Sequence, residues 1–196
     1  MNELNKICVF CGSSDGNDLA ITDTATKLGE IFAERKITLV YGAAKIGVMG
    51  VIAKSVLDNK GKVIGVIPHF LKKKEVVHLG LTQLISTDNM QQRKLRMHEE
   101  SDGFIALPGG MGTLEELFEI ITWLQLGLHK KPIGLLNVNG FYNDLIKMLE
   151  TMVRKGFLSM ENYNLLLVDS NPNGLLQKME AFKRPDVPKW LNEDRA

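Results

Sequence analysis

The chain has 196 residues, a length that suits a single domain with a substantial core. It carries 24 lysine and arginine residues against 23 aspartate and glutamate residues, so no basic excess points to nucleic acid or to an anionic membrane as a partner. No apolar run approaches the roughly 20 residues of a membrane span, and the first residues lack the apolar core of a signal peptide. We therefore expect a cytoplasmic protein.

The first half of the chain alternates short apolar runs with segments of helical spacing. In chain order it predicts a strand at 7–10, a helix at 19–35, a strand at 37–40, a helix ending near 59 and a strand at 62–67. Two turns rich in glycine and small residues lie between these elements, at 11–16 and 41–50. Residues 70–80 are polar and predict a loop.

The second half continues the same alternation. It predicts a short strand at 84–85, a helix at 88–100, a strand at 103–107, a helix at 114–128, a strand at 132–136, a helix at 141–153, a strand at 165–168 and a helix at 173–182. This order indicates an α/β fold, namely a doubly wound, Rossmann-like parallel sheet with helices on both faces. We expect one nucleotide-binding domain over residues 1–183 and a C-terminal tail over 184–196.

One stretch of the second half combines a strand, a glycine-rich turn and a helix start. Pro108 ends the apolar run 103–107, because it has no N–H for a strand ladder, and Gly109, Gly110 and Gly112 follow. A glycine turn that leads into a helix presents free N–H groups and the positive helix end to an anion. The turn therefore predicts a phosphate site.

Ligands of such sheets bind beyond the carboxyl ends of the strands, where the strand order reverses. The turns at 11–16, 41–50 and 108–113 have the composition and position for this role. Neither the G-x-G-x-x-G spacing nor the P-loop pattern is present, which argues against NAD and ATP. A mononucleotide or a sugar phosphate is the simpler ligand.

Glu116 has two interpretations from its position alone. Thr113-Leu114-Glu115-Glu116 fits the S/T-x-x-E capping box, in which Glu116 would reach back to the Thr113 N–H and only start the helix. Alternatively, Glu116 stands at the edge of the phosphate site and acts on whatever the phosphate is attached to.

The helix predicted at 88–100 favours the second interpretation. Met90, Arg93, Lys94 and Met97 share one face, so two cations lie on the stripe that carries the methionines. Basic residues on an apolar face either snorkel or meet an anion. Taken with the glycine turn, the pair indicates a site, and the planar donor fork of arginine suits a phosphate or a planar leaving group.

The two cysteines, Cys8 and Cys11, form a C-x-x-C that is typical of redox pairs in some α/β proteins. Here they fall in a predicted strand, where positions three apart face opposite sides. Structural cysteines are therefore favoured over a redox or metal pair. The four histidines show no spacing typical of metal ligands.

At these residues the chain resembles the LOG ("Lonely Guy") family of cytokinin riboside 5′-monophosphate phosphoribohydrolases, once labelled putative lysine decarboxylases. The family motif P-G-G-x-G-T-x-x-E is complete from Pro108 to Glu116, and the element Met-x-x-Arg-Lys is present from Met90 to Lys94. The resemblance covers roughly residues 6–180. One departure is Ala43, where the family commonly has a second glycine after Gly42, and it could narrow the pocket at this turn.

The resemblance implies a hydrolase that cleaves the N-glycosidic bond of a purine or cytokinin nucleoside 5′-monophosphate, such as AMP or an N6-modified AMP, to free base and ribose 5-phosphate. It implies Arg93 and Glu116 as the catalytic pair, a homodimer, and no metal or cofactor. The implied substrate-binding residues are Glu75, Arg93, Lys94, Gly109, Gly110, Met111, Gly112, Thr113, Leu114, Glu115, Glu116 and Thr122. The alternatives are a non-catalytic nucleotide sensor or carrier and, less favoured, a lysine decarboxylase.

Overall fold

The computed structural model of the chain describes residues 2–72 and 77–184. It contains seven strands: β1 Lys6–Phe10, β2 Thr38–Tyr41, β3 Val63–Pro68, β4 Gln83–Thr87, β5 Gly103–Ala106, β6 Ile133–Leu136 and β7 Leu166–Asp169. The helices are α1 Leu19–Glu34, α2 Gly47–Asp58, α3 His69–Lys72, α4 Met90–Glu99, α5 Met111–Leu126, α6 Asn143–Arg154, α7 Met160–Tyr163 and α8 Pro172–Ala181. A short 3-10 turn covers Val138–Gly140.

The seven strands form one sheet in the order β4-β3-β2-β1-β5-β6-β7. All neighbouring strands run parallel, and Cys8 of β1 lies opposite Phe104 of β5. The chain winds outward from β1 to one edge and then from β5 to the other, so the strand order reverses between β1 and β5. The predicted doubly wound, Rossmann-like fold is confirmed.

Helices pack on both faces of the sheet, because apolar side chains leave the strands on both sides. One core cluster joins α1, α2 and α8 and includes Phe32, Ile52 and Leu175. The other joins α4 and α5 and includes Met97 and Leu117. The site described below lies where helices of both layers begin, above the carboxyl ends of β1 and β5.

The residues of β1 alternate between these two clusters. Ile7 and Val9 belong to the first cluster, whereas Cys8 and Phe10 belong to the second. Cys11, just after the strand, joins the first cluster. The prediction that the two cysteines face opposite sides is confirmed, and this placement excludes a C-x-x-C redox pair within the chain.

Helix α5 begins three residues earlier than the sequence predicted. Gly110 is its N-cap, with an extended backbone and no side-chain cap bond, so Thr113 is already inside the first turn. A helix's first N–H groups have no intrahelical acceptor, so the weak helix former Gly112 costs little there. Thr113 is buried, with its hydroxyl packed against Gly109. The predicted start at Leu114 is therefore wrong.

Two further predictions fall on the region before α4. The predicted loop 70–80 includes part of the short helix α3, and the strand predicted at 84–85 extends over all of β4. Glu75 lies outside the described residues. The predicted tail also lies outside them, except for Arg184.

Candidate active site

Helix α4 turns two basic side chains toward the sheet and toward α5. The side chains of Arg93 and Lys94 are only 11% and 16% exposed, and Met97 on the same face is buried. Both cations meet carboxylates of α5 instead of reaching water. The snorkelling interpretation is therefore wrong, and the basic residues on this stripe are ion-paired.

Arg93 is held at both ends of its guanidinium group. Its Nη1 donates to Glu116 Oε1 at 3.1 Å, and its Nε donates to the carbonyl oxygen of Val66, within β3, at 3.1 Å. Gly42 allows this position, because a Cβ there would overlap Nη2 of Arg93. Strand β3, the turn after β2 and helix α5 thus fix one guanidinium together.

The same hydrogen bond shows that the capping-box interpretation of Glu116 is wrong. Its carboxylate bonds Arg93 of α4 and does not reach back to Thr113, which is not the N-cap. Because Glu116 lies one turn inside α5, its side chain can point across the switch point to α4. The second interpretation, a carboxylate placed for chemistry beside an anion site, agrees with this geometry.

Burial raises the pKa of Glu116 above its ordinary value. The Arg93 guanidinium opposes this effect, the neighbouring Glu115 adds to it, and Lys94 opposes it weakly. A perturbed carboxylate with a specific charge partner in a cavity is typical of functional sites.

The N-terminus of α5 faces the same space. No side chain caps the helix at Gly110, so the N–H groups of its first turn are free to bind an anion. A Cβ on Gly110 or Gly112 would meet nothing within 4 Å, so both residues border open space. Gly109 differs, because a Cβ there would overlap the Thr113 hydroxyl and lie 2.8 Å from the Gly12 nitrogen.

These groups line a cavity of about 310 Å³, within the range of small-molecule sites. All three predicted turns contribute to its wall, through Gly12 after β1, Gly42 after β2 and Gly110 after β5. Arg93 and Glu116 stand on its other side. A second cavity of about 280 Å³ shares Gly12 and Gly110 and extends toward α1.

Ala43, the departure noted in the sequence, does not line the larger of these cavities, whereas Gly42 does. The expectation that it could narrow the pocket is therefore wrong. Ala43 instead adopts a left-handed backbone with φ of 67° and is fully buried. A second glycine would take this conformation without strain.

Within residues 2–72 and 77–184, no cluster of three or more histidine, cysteine, aspartate or glutamate residues is placed to hold a metal ion. None of the helices in the same part of the chain has both the length and the apolar character needed to cross a membrane.

Comparison with known proteins identifies the family. Residues 49–179 match the family described as possible lysine decarboxylase. Cytokinin riboside 5′-monophosphate phosphoribohydrolase LOG1 of Arabidopsis thaliana is 44% identical over 92% of this chain and 85% of its own length. The probable phosphoribohydrolase LOGL6 of Oryza sativa subsp. japonica is 43% identical over 92% of this chain and 72% of its own. The chain belongs to the LOG family.

Solved structures share the LOG-type fold at lower identity. The molybdenum cofactor binding protein of Rippkaea orientalis has a TM-score of 0.69 and 22% identity, and the match covers 91% of this chain and 97% of that one. The molybdenum cofactor carrier protein of Chlamydomonas reinhardtii has a TM-score of 0.66 and 18% identity, over 91% and 98% of the chains. These likenesses show the fold alone.

Not every residue that the LOG resemblance implied reaches the cavity. Leu114 packs partly into the core, and Thr122 is exposed on α5, where its hydroxyl donates to the carbonyl oxygen of Phe118. Lys94 donates to Glu115 at 2.6 Å and to Glu119 at 2.9 Å. Their roles in substrate binding, like that of Glu75, stay predictions.

Sequence reasoning predicted the turn 41–50 as part of the site but did not single out Gly42 or Met49 within it, and it missed the Val66 carbonyl. Met49 lines the cavity from α2, and the Val66 carbonyl orients Arg93. Gly42 had a local signal as a turn glycine. The Val66 carbonyl had none, because any residue at that position supplies the same oxygen.

Proposed function

We propose that the chain hydrolyses the N-glycosidic bond of a purine or cytokinin nucleoside 5′-monophosphate. The observation that carries this proposal is the buried ion pair of Arg93 and Glu116, which borders the same cavity as the uncapped N-terminus of α5. Relatives with about 44% identity bear the name of this activity, which supports it further. Water adds to C1′ of the ribose, the C–N bond breaks, and the base leaves with a proton.

In this proposal the α5 N-terminus holds the 5′-phosphate. Met111, Gly112 and Thr113 form the uncapped first turn and line the cavity, and Gly110 leaves room for the phosphate oxygens. The phosphate then fixes the ribose beside Glu116, so that binding energy remote from the reacting bond orients it.

Glu116 acts on the ribose. Breaking the C–N bond builds positive charge on the sugar, as in the oxocarbenium-like transition state of glycosidases. An ionised carboxylate stabilises that charge and accepts a proton from the attacking water. The hydrogen bond from Arg93 favours the ionised form against the effect of burial.

Arg93 orients Glu116 and stabilises charge in the transition state. Its Nη1 is occupied by Glu116 and its Nε by Val66, while Nη2 lies against Gly42 at the cavity wall. The planar guanidinium group has donors suited to anionic substrate atoms.

The description "possible lysine decarboxylase" fits the site less well. A decarboxylase that uses pyridoxal phosphate needs a Schiff-base lysine, usually one with a lowered pKa. Among the described residues, no lysine lines the 310 Å³ cavity. Burial alone would lower the pKa of Lys94, but Glu115 and Glu119 more than offset this and raise it.

The experiment is to incubate the purified protein with AMP, N6-isopentenyl-AMP and adenosine and to measure free base by chromatography. We expect base release from both monophosphates, little from adenosine, and loss of release in Glu116→Ala and Arg93→Ala. The ratio of the two monophosphates tells an AMP nucleosidase from a cytokinin-activating enzyme. Comparable turnover of adenosine would contradict the role of the α5 N-terminus. Nucleotide binding without release, unchanged in Glu116→Ala, would favour a sensor or carrier.

We also propose that the chain works as a cytoplasmic homodimer of single-domain subunits, each folded over residues 1–183. The support for the dimer is apolar side chains that α4 and α5 leave exposed, of which the first two border the cavity: Met90, Met111, Leu95, Phe118 and Leu126. Burying such a group between two copies is favourable. Such a dimer would also place Thr122, which is exposed on α5, at the interface, where it could contact the substrate site of the partner copy.

A further inference from the structure

Glu116 stands between two cavities. On one side of it lies the 310 Å³ cavity, and on the other lies a small, partly enclosed space of about 10 Å³ between α4, α5 and the sheet. That volume is about the minimum that one water molecule needs. Four of the residues around the small space are polar or charged: Lys94, His98, Glu116 and Glu119.

One of these four has an unsatisfied atom. Nε2 of His98 is buried and has no hydrogen-bond partner among the residues that the structure describes. The ring itself is held in place, stacked on Phe104 at 5.7 Å between centroids and edge-on to Trp123 at 5.4 Å. A buried polar atom without a partner is costly and in native proteins is usually satisfied by protein or by ordered water.

The Glu116 carboxylate, on the other side of the small space, can also accept further hydrogen bonds. Within the described part of the chain, the bond from Arg93 to Oε1 is the only hydrogen bond that the Glu116 side chain accepts. A carboxylate accepts about four. The Lys94 ammonium group donates to Glu115 and Glu119, and no hydrogen bond joins it to Glu116 among the described residues.

We propose that the small space holds one ordered water, hydrogen-bonded to Nε2 of His98 and to the carboxylate of Glu116. His98 is then a positioning residue, which acts on Glu116 through this water. Arg93 holds the carboxylate from the substrate side, and the water holds it from behind. Two anchors on opposite sides restrict the rotation of the carboxylate and support its ionised form.

The charges around both groups are compatible with this bridge. His98 is faced by Glu99 of its own helix and by His129 and Lys131 before β6. Burial and Lys131 lower the pKa of His98 to about 4, so its ring is neutral at physiological pH and can exchange one hydrogen bond with a water. The ionisable groups that face Glu116 are Arg93, Glu115 and Lys94, with Glu119 and His98 around the small space and Cys8 and Cys11 on the side of the sheet.

The first test is a high-resolution crystal structure of the unmodified protein. We expect a density peak within hydrogen-bond distance of both His98 Nε2 and a Glu116 oxygen. An ordered map of these side chains without such a peak overturns the proposal. This test needs no activity, so its outcome is independent of the proposed function.

The second test is a carbon-13 NMR titration of the Glu116 carboxyl group, assigned by comparison with Glu116→Gln. In His98→Phe, which keeps an aromatic ring in the stack, we expect the pKa of Glu116 to rise by about 0.7 unit, the equivalent of one ordinary hydrogen bond. His98→Gln offers a polar atom to the water and is expected to restore the value of the unmodified protein. An unchanged pKa in His98→Phe, or failure of His98→Gln to restore it, overturns the proposal.

His129→Phe is the matched control. His129 packs against His98 at 5.1 Å and is also buried, but its Nε2 bonds the carbonyl oxygen of Ile120 and it does not line the small space. We expect no change in the pKa of Glu116 in this variant. An equal rise in His129→Phe would assign the effect to general loosening of the aromatic stack and overturn the water bridge.

The kinetic consequence rests on the proposed function. If the chain hydrolyses nucleoside monophosphates, the acid limb of its kcat against pH moves upward in His98→Phe by the shift that the titration measures, and KM changes little. If the chain proves inactive, the crystallographic and NMR results still decide the water bridge.

Discussion

Burial and the Arg93 guanidinium have opposite effects on the pKa of Glu116. Burial raises the pKa of Glu116, and the Arg93 guanidinium lowers it by less, so the net pKa lies above the ordinary glutamate value. In the proposed reaction the carboxylate acts in its ionised form. We therefore expect kcat/KM for AMP to fall on the acid side at a pH above about 4.3, the value of an unperturbed glutamate.

The dependence of kcat/KM on pH measures this acid limb, that is, the fall of the rate at low pH. Circular dichroism over the same range is the control, because it separates titration of Glu116 from unfolding. An acid limb at or below the ordinary glutamate value would contradict the role of burial at this residue.

The same raised pKa has a consequence for stability. Between the pKa of unfolded Glu116 and its higher pKa in the folded protein, the folded state binds more protons, so the free energy of unfolding falls as pH rises through this window. Glutamine mimics the protonated group. We expect Glu116→Gln to be more stable than the unmodified protein at neutral pH and no more stable below pH ~4, while its activity falls by about 100-fold or more.

Thermal unfolding at both pH values, with base release at neutral pH, checks this expectation. Glu99→Gln is the control, since Glu99 is a half-exposed glutamate of α4 outside the cavity. A Glu116→Gln variant that unfolds more easily at neutral pH would show that the ion pair with Arg93 outweighs the cost of burying the charge.

At the scale of elements, the turn between β5 and α5 gives its adjacent glycines, Gly109 and Gly110, different surroundings. A Cβ at position 109 would overlap the Thr113 hydroxyl and crowd the Gly12 nitrogen, whereas a Cβ at position 110 would meet only open space. We expect Gly109→Ala to lower the free energy of unfolding by about 1–3 kcal/mol. Gly110→Ala makes no such overlap, so we expect a smaller loss of stability, limited to the poorer N-cap that alanine makes, and a higher KM because its methyl group enters the cavity.

Denaturant unfolding and steady-state kinetics on both variants separate the two effects. Each variant is the control for the other, as the substitution is the same one residue apart. Equal losses of stability in both would contradict the different environments of the two glycines.

The sequence predicted much of this site but not the start of α5. The glycine turn, the strand before it and the basic stripe of α4 each have a local pattern, and their neighbours in space follow from the switch point of a doubly wound sheet. The motif Thr113-Leu114-Glu115-Glu116 is compatible both with a capping box and with a helix that has already begun. Only the contact of Glu116 with Arg93, 23 residues away in sequence, distinguishes the two.

Contacts made by backbone atoms, and cavities that depend on packing, could not be predicted from the sequence. The Val66 carbonyl that orients Arg93 belongs to every amino acid, and the small space behind Glu116 depends on how α4 and α5 pack. The left-handed backbone of Ala43 was unforeseen for a related reason, since alanine gives no sign of a positive φ.

At the scale of the whole molecule, the alternation of strands and helices was enough to predict the layers and the meeting of the three turns. The order of the strands, β4-β3-β2-β1-β5-β6-β7, was not predicted, because the one hand of crossover connections is compatible with more than one order. The register between β1 and β5, with Cys8 opposite Phe104, could not be predicted from the sequence pattern.

The proposed homodimer is also a property at this scale. Leu95 of α4 and Phe118 of α5 are 48% and 37% exposed. We expect the unmodified protein to sediment as a dimer and the double variant Leu95→Glu, Phe118→Glu to sediment as a monomer, because two charges on each copy oppose burial of this surface.

Analytical ultracentrifugation measures the association, and Met148→Glu on α6 is the control, since Met148 is also an exposed apolar residue, on a different helix. A dimer that survives the double variant but not Met148→Glu would place the interface on α6 instead.

A substitution at Gly42 would separate substrate binding from cleavage of the N-glycosidic bond. A side chain at this position would push against the Arg93 guanidinium and the Met49 sulfur, while Arg93, Glu116 and the N-terminus of α5 all keep their identities. A Gly42→Ala protein would thus resemble a substrate trap. The N-terminus of α5 would still bind the phosphate, but the Arg93 guanidinium would no longer be hydrogen-bonded to the Glu116 carboxylate. Such a trap could retain the natural nucleotide from a cell extract for identification by mass spectrometry.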